Sequence, residues 1–306
     1  MRKLLAPILG LVACNEYDVA QRTTEDRFFQ GGRDTVSDVL FVVDDSASMS
    51  EEQAALSLAI SAFVNAAGET TADWRLGVVS TSVNGDDGGN LVAPYVTGAQ
   101  ANAGQVVADS LLVGVEGDRD ERGLQAALFA LDGRNGDFRR TDARLEIVFV
   151  SDEDDHSAGD VSDYMMPLET LAGAGELRIH GVVGDLPAGC ASPSGAADAG
   201  GRYVHAIALQ EGWSESICAS DFTEFMARVG LDTAAMYDTF MLSRLPNTDT
   251  LEVTVEGTIV EGAEVDGWVY DPGPNAIVFD GSALPGADAE IVVTYVARAD
   301  QSATIE

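Results

Sequence analysis

Val39-Leu40-Phe41-Val42-Val43-Asp44-Asp45-Ser46-Ala47-Ser48-Met49-Ser50 decides how this chain of 306 residues is read. Five apolar residues in a row, mostly β-branched or aromatic, describe a strand covered on both faces, as at the centre of a parallel sheet. The run stops at Asp44. Oxygen-bearing side chains then recur at alternate positions, Asp44, Ser46 and Ser48, and alternate residues of a tight loop can converge on a hard divalent cation. Ser50 with Gln53 also reads as a capping box, with Glu51 and Glu52 suiting the positive end of the helix that follows. The two readings are compatible.

A second stretch answers the first. Arg144-Leu145-Glu146-Ile147-Val148-Phe149-Val150-Ser151-Asp152 is another buried strand ending in an acid, roughly a hundred residues on. Open α/β sheets build their sites from residues at the carboxyl ends of such strands. Between and beyond these stretches, helix and strand patterns alternate. Helices fit 51–67, 106–112, 124–131, 160–171 and 220–229, and strands fit 74–80, 91–96 and 176–184. This predicts an α/β fold, a doubly wound, mostly parallel sheet with helices on both faces.

Asp44-x-Ser46-x-Ser48 after an apolar strand resembles the metal-ion-dependent adhesion site (MIDAS) of the von Willebrand factor type A family, and Ser151-Asp152 resembles the end of that family's fourth strand. The resemblance covers roughly residues 36 to 245. It implies a divalent cation, Mg²⁺ or Ca²⁺, held by Asp44, Ser46, Ser48 and Asp152, with a carboxylate from a protein partner completing the shell. In the loop Glu116-Gly117-Asp118-Arg119-Asp120-Glu121-Arg122-Gly123, the family's usual threonine falls on Asp120. The chain departs from the pattern there. Three carboxylates would already neutralise the ion, which favours Ca²⁺ and a structural role for the metal. The alternative is that Asp120 or Asp118 caps the helix through Leu124 and Leu128.

The ends differ in character. Met1-Arg2-Lys3 followed by Leu4 to Val12 reads as a signal peptide over 1–13, too short to span a bilayer. Leu11-Val12-Ala13-Cys14 resembles a bacterial lipobox with Cys14 as the lipidated residue. This places the protein in the cell envelope, attached to a membrane through lipid only, with Asn15 favouring the outer membrane. Residues 14–35 read as a polar tether. In an exported chain the remaining cysteines, Cys190 and Cys218, are expected to pair. After Leu245-Pro246-Asn247 the pattern turns to period two, predicting a small antiparallel β-sandwich over 246–306.

Composition excludes several functions. There are 51 acidic residues against 17 basic ones, a formal net charge of −34, which opposes nucleic-acid binding through phosphates. Lys3 is the single lysine, so a mature chain has none for a phosphate loop or a Schiff base. The sequence holds no Gly-x-Ser-x-Gly, His-Glu-x-x-His or Ser-x-x-Lys. None of its three histidines lies beside a candidate nucleophile, so a general base is hard to nominate and no enzyme is expected. The sequence supports a cation-dependent binding or adhesion protein of the envelope, then a structural envelope protein with a structural or vestigial metal site, and least a metal-dependent hydrolase.

Overall fold

The structure, a computed structural model, describes residues 23–298 except 33–34, 69–71, 86, 174–175, 194 and 211. The expected signal peptide, Cys14 and the first part of the expected tether lie outside the described residues. The chain forms two compact units, a larger one of Phe29–Asp238 with Pro285–Ala289, and a smaller one built from the segments on either side.

The first element, β1 (Thr23–Phe29), joins the smaller unit. The larger unit then runs β2 (Val36–Val43), α1 (Ser50–Ala67), β3 (Asp73–Ser80), β4 (Val96–Thr97), α2 (Ala103–Ser110), α3 (Gly123–Phe129), β5 (Arg144–Ser151), α4 (Val161–Ala172) and β6 (Leu177–Val183). It closes with a hairpin of β7 (Cys190–Ser192) and β8 (Gly195–Ala197), then α5 (Gly201–Leu209), β9 (Ser214–Ser216) and α6 (Thr223–Thr233). Its main sheet has the order β4-β3-β2-β5-β6-β9. Every pairing is parallel except that of β4 with β3.

The doubly wound α/β reading follows from how β2 divides its side chains. Val39, Phe41 and Val43 enter one core with Leu56, Ile60 and Phe63 of α1, Val107 of α2, and Phe225, Met226 and Val229 of α6. Leu40 and Val42 enter the other, with Leu124 of α3, Tyr164, Met165 and Leu168 of α4, and Tyr203 and Ile207 of α5. Successive strand residues point to opposite faces, so an unbroken apolar run demands helices on both sides.

The smaller unit adds β10 (Thr239–Met241), β11 (Glu252–Val255), β12 (Thr258–Val260), β13 (Trp268–Asp271), β14 (Ala276–Phe279) and β15 (Glu290–Val296). They form a sheet ordered β1-β15-β11-β12 and another ordered β10-β14-β13. Val253, Ile277, Phe279, Ile291, Val293 and Tyr295 make its core.

Several expectations need correction. Thr23–Phe29 is an edge strand rather than tether; its alternating exposed and half-buried residues carry no apolar signal. It is held by Asp26, which accepts from the Tyr295 hydroxyl at 2.7 Å and the Ser243 hydroxyl at 2.6 Å. The larger unit ends at Asp238 rather than 245, because Thr239–Met241 pairs with β14. The segment 188–201, to which the sequence pattern assigns neither strand nor helix, contains the β7–β8 hairpin. Ser50 does not cap α1, since a 3₁₀ turn over Ala47–Met49 makes it the first helical residue. Gln53 instead donates to the carbonyl oxygens of Asp44 and Gly114, both at 2.8 Å.

Candidate metal centre

Parallel pairing of β2 with β5 aligns Val43 with Val150, and the Asp44 N–H donates to the Val150 carbonyl at 2.9 Å. Two strands therefore end side by side at the carboxyl edge of the sheet and deliver Asp44 next to Ser151 and Asp152. Asp44 is fully buried. Its Oδ2 accepts from the Ser151 hydroxyl at 2.7 Å and its Oδ1 from the Ser46 N–H at 2.7 Å. The Ser46 and Ser48 hydroxyls lie 3.1 Å apart. Ser48 is exposed, Ser46 half-buried, so the hydroxyl pair forms the outer side of the site.

The loop before α3 is fixed against this edge. Gly117 N–H donates to the Asp45 carbonyl at 2.8 Å, and Arg122 N–H to the Thr81 carbonyl at 3.2 Å. A Cβ on Gly117 would stand 2.1 Å from Asp45 Oδ1, so only glycine permits the approach. Ser82 bridges the two segments, donating to Asp45 Oδ1 at 2.8 Å and accepting from the Asp118 N–H at 2.7 Å.

This fixing decides which acid of the loop turns inward. Asp120, expected at the threonine position, points to solvent with a side chain 70 % exposed, 3.9 Å from Arg122. Glu121 is the buried one. The Thr81 hydroxyl donates to its Oε2, while Oε1 has no hydrogen-bond partner. The structure thus brings Asp44, Ser46, Ser48 and Asp152 to one edge and leaves Asp120 out. Neither Asp118 nor Asp120 caps α3. That role falls to Asp155, whose Oδ1 accepts from Leu124 N–H at 3.0 Å, and to Ser157, whose hydroxyl accepts from Gln125 N–H at 3.0 Å.

The electrostatics separate this edge from the rest of the unit. Elsewhere each buried acid has an arginine. Asp38 meets Arg139 at 3.1 Å and Arg140 at 2.8 Å, and Asp155 meets Arg202 at 2.9 Å. Asp232 meets Arg144 at 3.4 Å, and Glu146 meets the same arginine at 3.9 Å. Asp44, Glu52, Glu121 and Asp152 form no ion pair among the described residues, and all four belong to the carboxyl-edge side of the sheet, Asp44 and Asp152 at strand ends, Glu52 in the first turn of α1 and Glu121 bonded to Thr81 just after β3. Burial pushes the pKa of Asp44 up, against hydrogen bonds from Ser151 and Ser46 that favour its anion, and Asp152 adds to the rise. Burial raises Asp152 and Glu52 as well. Glu121 is pushed up to about 8 by burial and then by the charge of Asp44. Asp152 Oδ1, Glu121 Oε1 and Glu52 Oε2 are buried without hydrogen-bond partners.

Buried anions persist when they are paired or coordinate a metal. The donor set here is all oxygen, carboxylates and hydroxyls, as hard divalent cations require. Asp44, Asp152, Ser46 and Ser48 fit a bound divalent ion. Among the described residues, the one group of three acid or histidine side chains with ligand atoms within 4.8 Å of one another lies elsewhere: Glu146, His180 and Asp232, all buried. There His180 Nε2 is 3.2 Å from Asp232 and its ring packs 3.9 Å from that of Trp213. With Arg144 serving both carboxylates, this cluster is already neutralised, which leaves His180 a structural role.

Cys190 and Cys218 are bonded, as expected, tying the β7–β8 hairpin to the segment after β9. The hairpin borders the site. The Asp198 N–H donates to the Asp152 carbonyl at 2.8 Å, and a Cβ on Gly195 would stand 3.5 Å from Glu52 Oε1.

No family model matches the chain. No curated protein matches it either. Solved structures do. The pilus adhesin SpaC from Lactobacillus rhamnosus GG in its open conformation overlaps with a TM-score of 0.44 at 11 % identity, covering 92 % of this chain and 42 % of the adhesin. Proximal thread matrix protein 1 from the mussel byssus, with a zinc-occupied MIDAS motif, overlaps at 0.41 with 12 % identity, over 71 % of this chain and 51 % of its own. An aerotolerance-related membrane protein from Bacteroides fragilis overlaps at 0.40 with 12 % identity, over 66 % of this chain and 100 % of its own. This chain therefore spans less than half of the adhesin. Overlaps this slight carry no argument by themselves; the α/β architecture resembling a von Willebrand type A domain rests on the sheet order and on the strand ends that meet at Asp44.

Proposed function

We propose that this protein is a cation-dependent binding domain of the cell envelope, which engages a protein partner at the carboxyl edge of its larger sheet. One observation carries the reading: four buried carboxylates without a basic partner gather there, while every other buried acid of the unit has an arginine. A divalent ion supplies the missing charge. Held by Asp44 and Asp152 from within, it is presented beside Ser46 and Ser48, the solvent-facing members of the set, where an oxygen of a partner can reach it. The sequence pattern at residues 1–14 supports export and lipid attachment.

The test is thermal unfolding in chelator, Mg²⁺ and Ca²⁺ for the native chain and Asp44→Ala. A ligand that binds only the folded state stabilises it by about 2.7 kcal/mol at a hundredfold excess over Kd. A rise in Tm with metal that Asp44→Ala abolishes is the expected result. No shift with either ion at millimolar concentration overturns the reading and leaves a structural envelope protein.

A further inference from the structure

We infer that Asn84-Gly85, in the loop that follows β3, is a site of spontaneous covalent modification, where the Asn84 amide is converted to aspartate and isoaspartate through a succinimide. The chain contains two Asn-Gly pairs, Asn84-Gly85 and Asn135-Gly136, and an aspartate follows each in the sequence. In such a pair the backbone nitrogen of glycine attacks the asparagine Cγ, since no Cβ obstructs the approach and glycine adopts the backbone angles that ring closure needs. The N–Cγ bond forms, the Cγ–Nδ2 bond breaks, and ammonia leaves with the proton that the backbone nitrogen gives up. Water then opens the ring at either carbonyl. Opening at Cγ gives aspartate; opening at the backbone carbonyl gives isoaspartate, with the main chain running through the former side chain.

The structure separates the two pairs. Around Asn135 each reacting group is engaged. Its Nδ2 donates to the carbonyl oxygens of Gly89 and Ala130, both at 2.8 Å, and its Oδ1 accepts from the Leu91 N–H at 3.0 Å. The attacking nitrogen is held as well, with the Gly136 N–H donating to the Gly133 carbonyl at 3.3 Å. Asn84 and Gly85, in contrast, are both exposed. Among the described residues, neither the Asn84 side-chain amide nor the Gly85 N–H makes a hydrogen bond. Gly85 has a φ of 102°, and nothing lies within 4 Å of the place a Cβ would take.

The position of the first pair gives the conversion a consequence. The Asn84 N–H donates to Asp118 Oδ2 at 3.2 Å, and Ser82 bridges Asp45 Oδ1 and the Asp118 N–H. Either product places a new carboxylate on the residue bonded to Asp118, in the loop that leaves the carboxyl edge of the sheet. Isoaspartate also adds a methylene to the main chain next to the N–H that Asp118 holds. Negative charge at this edge therefore grows with the age of the molecule, without an enzyme to add it.

The test is ageing of the intact folded chain in mildly alkaline buffer, with the same incubation in denaturing urea as reference. Cleavage after arginine at mildly acidic pH then places Asn84 in the peptide 76–119 and Asn135 in the peptide 135–139. Mass spectrometry with electron-transfer fragmentation locates the conversion and distinguishes isoaspartate from aspartate. In the folded chain Asn84 should convert at least about tenfold faster than Asn135, whose hydrogen bonds must open first. In urea both pairs sit in open chain, and their rates should agree within about threefold. Over the same period Asn84→Ser should leave the peptide 76–119 unconverted. No conversion at Asn84, equal or faster conversion at Asn135 in the folded chain, or a mass gain in 76–119 that persists in Asn84→Ser overturns the inference. The readout is independent of cation binding, so it stands or falls separately from the proposed function.

Discussion

Glu146 stands inside β5, wholly buried, with Thr233 donating to its Oε2 at 2.7 Å. Burial, followed by the charge of Asp232, pushes its pKa up to about 8 from the 4.5 of an ordinary glutamate. Between those values the folded chain keeps a proton that the unfolded chain has released. Its contribution to stability is therefore complete below about pH 4.5 and declines as pH rises toward 8. Asp232 is held low despite its burial, by His180 at 3.2 Å and then by Arg144, so its own contribution fades only in the acid range. Glu146→Gln cannot ionise. Compared with the native chain it should gain stability from pH 5 to pH 8, by at most about 1.4 kcal/mol for each pH unit. Urea unfolding at pH 5, 6.5 and 8 checks this; a constant offset at all three would contradict it. At the same scale, Asp44 and Asp152 were readable in the sequence because each ends an apolar run. Glu121 was not, since the loop 116–122 alternates charges without a period and nothing local marks the acid that turns inward. Asp155 was hidden similarly: it caps a helix that begins more than thirty residues earlier in the chain.

Among elements, the β7–β8 hairpin is the one whose support is most clearly covalent. Its strands have three residues each and bury little apolar surface. The bond from Cys190 to Cys218 closes a loop of 28 residues, which on chain-entropy grounds contributes about 3 to 4 kcal/mol. Replacing both cysteines with serine should lower stability by about that amount, measured in urea against the oxidised native chain. It should also raise hydrogen exchange first in 190–197, before β2 and β5. A uniform rise across the sheet would show that the hairpin and the sheet unfold as one. The main strands and helices were legible from their periods, because burial on two faces or one leaves a direct trace in the order of side chains. The hairpin was not, being mostly Gly, Ala and Ser with one proline, nor was β9, a three-residue strand of serines and one glutamate.

The whole molecule is arranged so that the segments flanking the larger unit meet in a single module. Sequence patterning located that module's β character after Leu245 but missed its first strand. β1 lacks an apolar face and is fixed by long-range partners, the Tyr295 hydroxyl and Ser243, that no local window contains. Phe28 packs 5.5 Å from Phe240, adding an aromatic contact to those bonds. A chain beginning at Phe29 should therefore keep the larger unit's metal response while the small module is destabilised, its β15 amides losing protection in hydrogen exchange. Full protection of β15 in that shortened chain would show that β1 is dispensable.

Order of synthesis gives that strand a further significance. Asp26 and Tyr295 are partners 269 positions apart in the chain. A ribosome or translocation pore releases β1 long before β15. The larger unit is complete in the interval, so β1 must wait as an unpaired strand beside a folding domain. A waiting strand rich in apolar residues would invite pairing with neighbouring chains. Thr-Thr-Glu-Asp-Arg before its two phenylalanines makes it a poor template for such pairing. The charged character that disguises this segment as linker is thus what lets it remain uncommitted until its proper neighbour arrives.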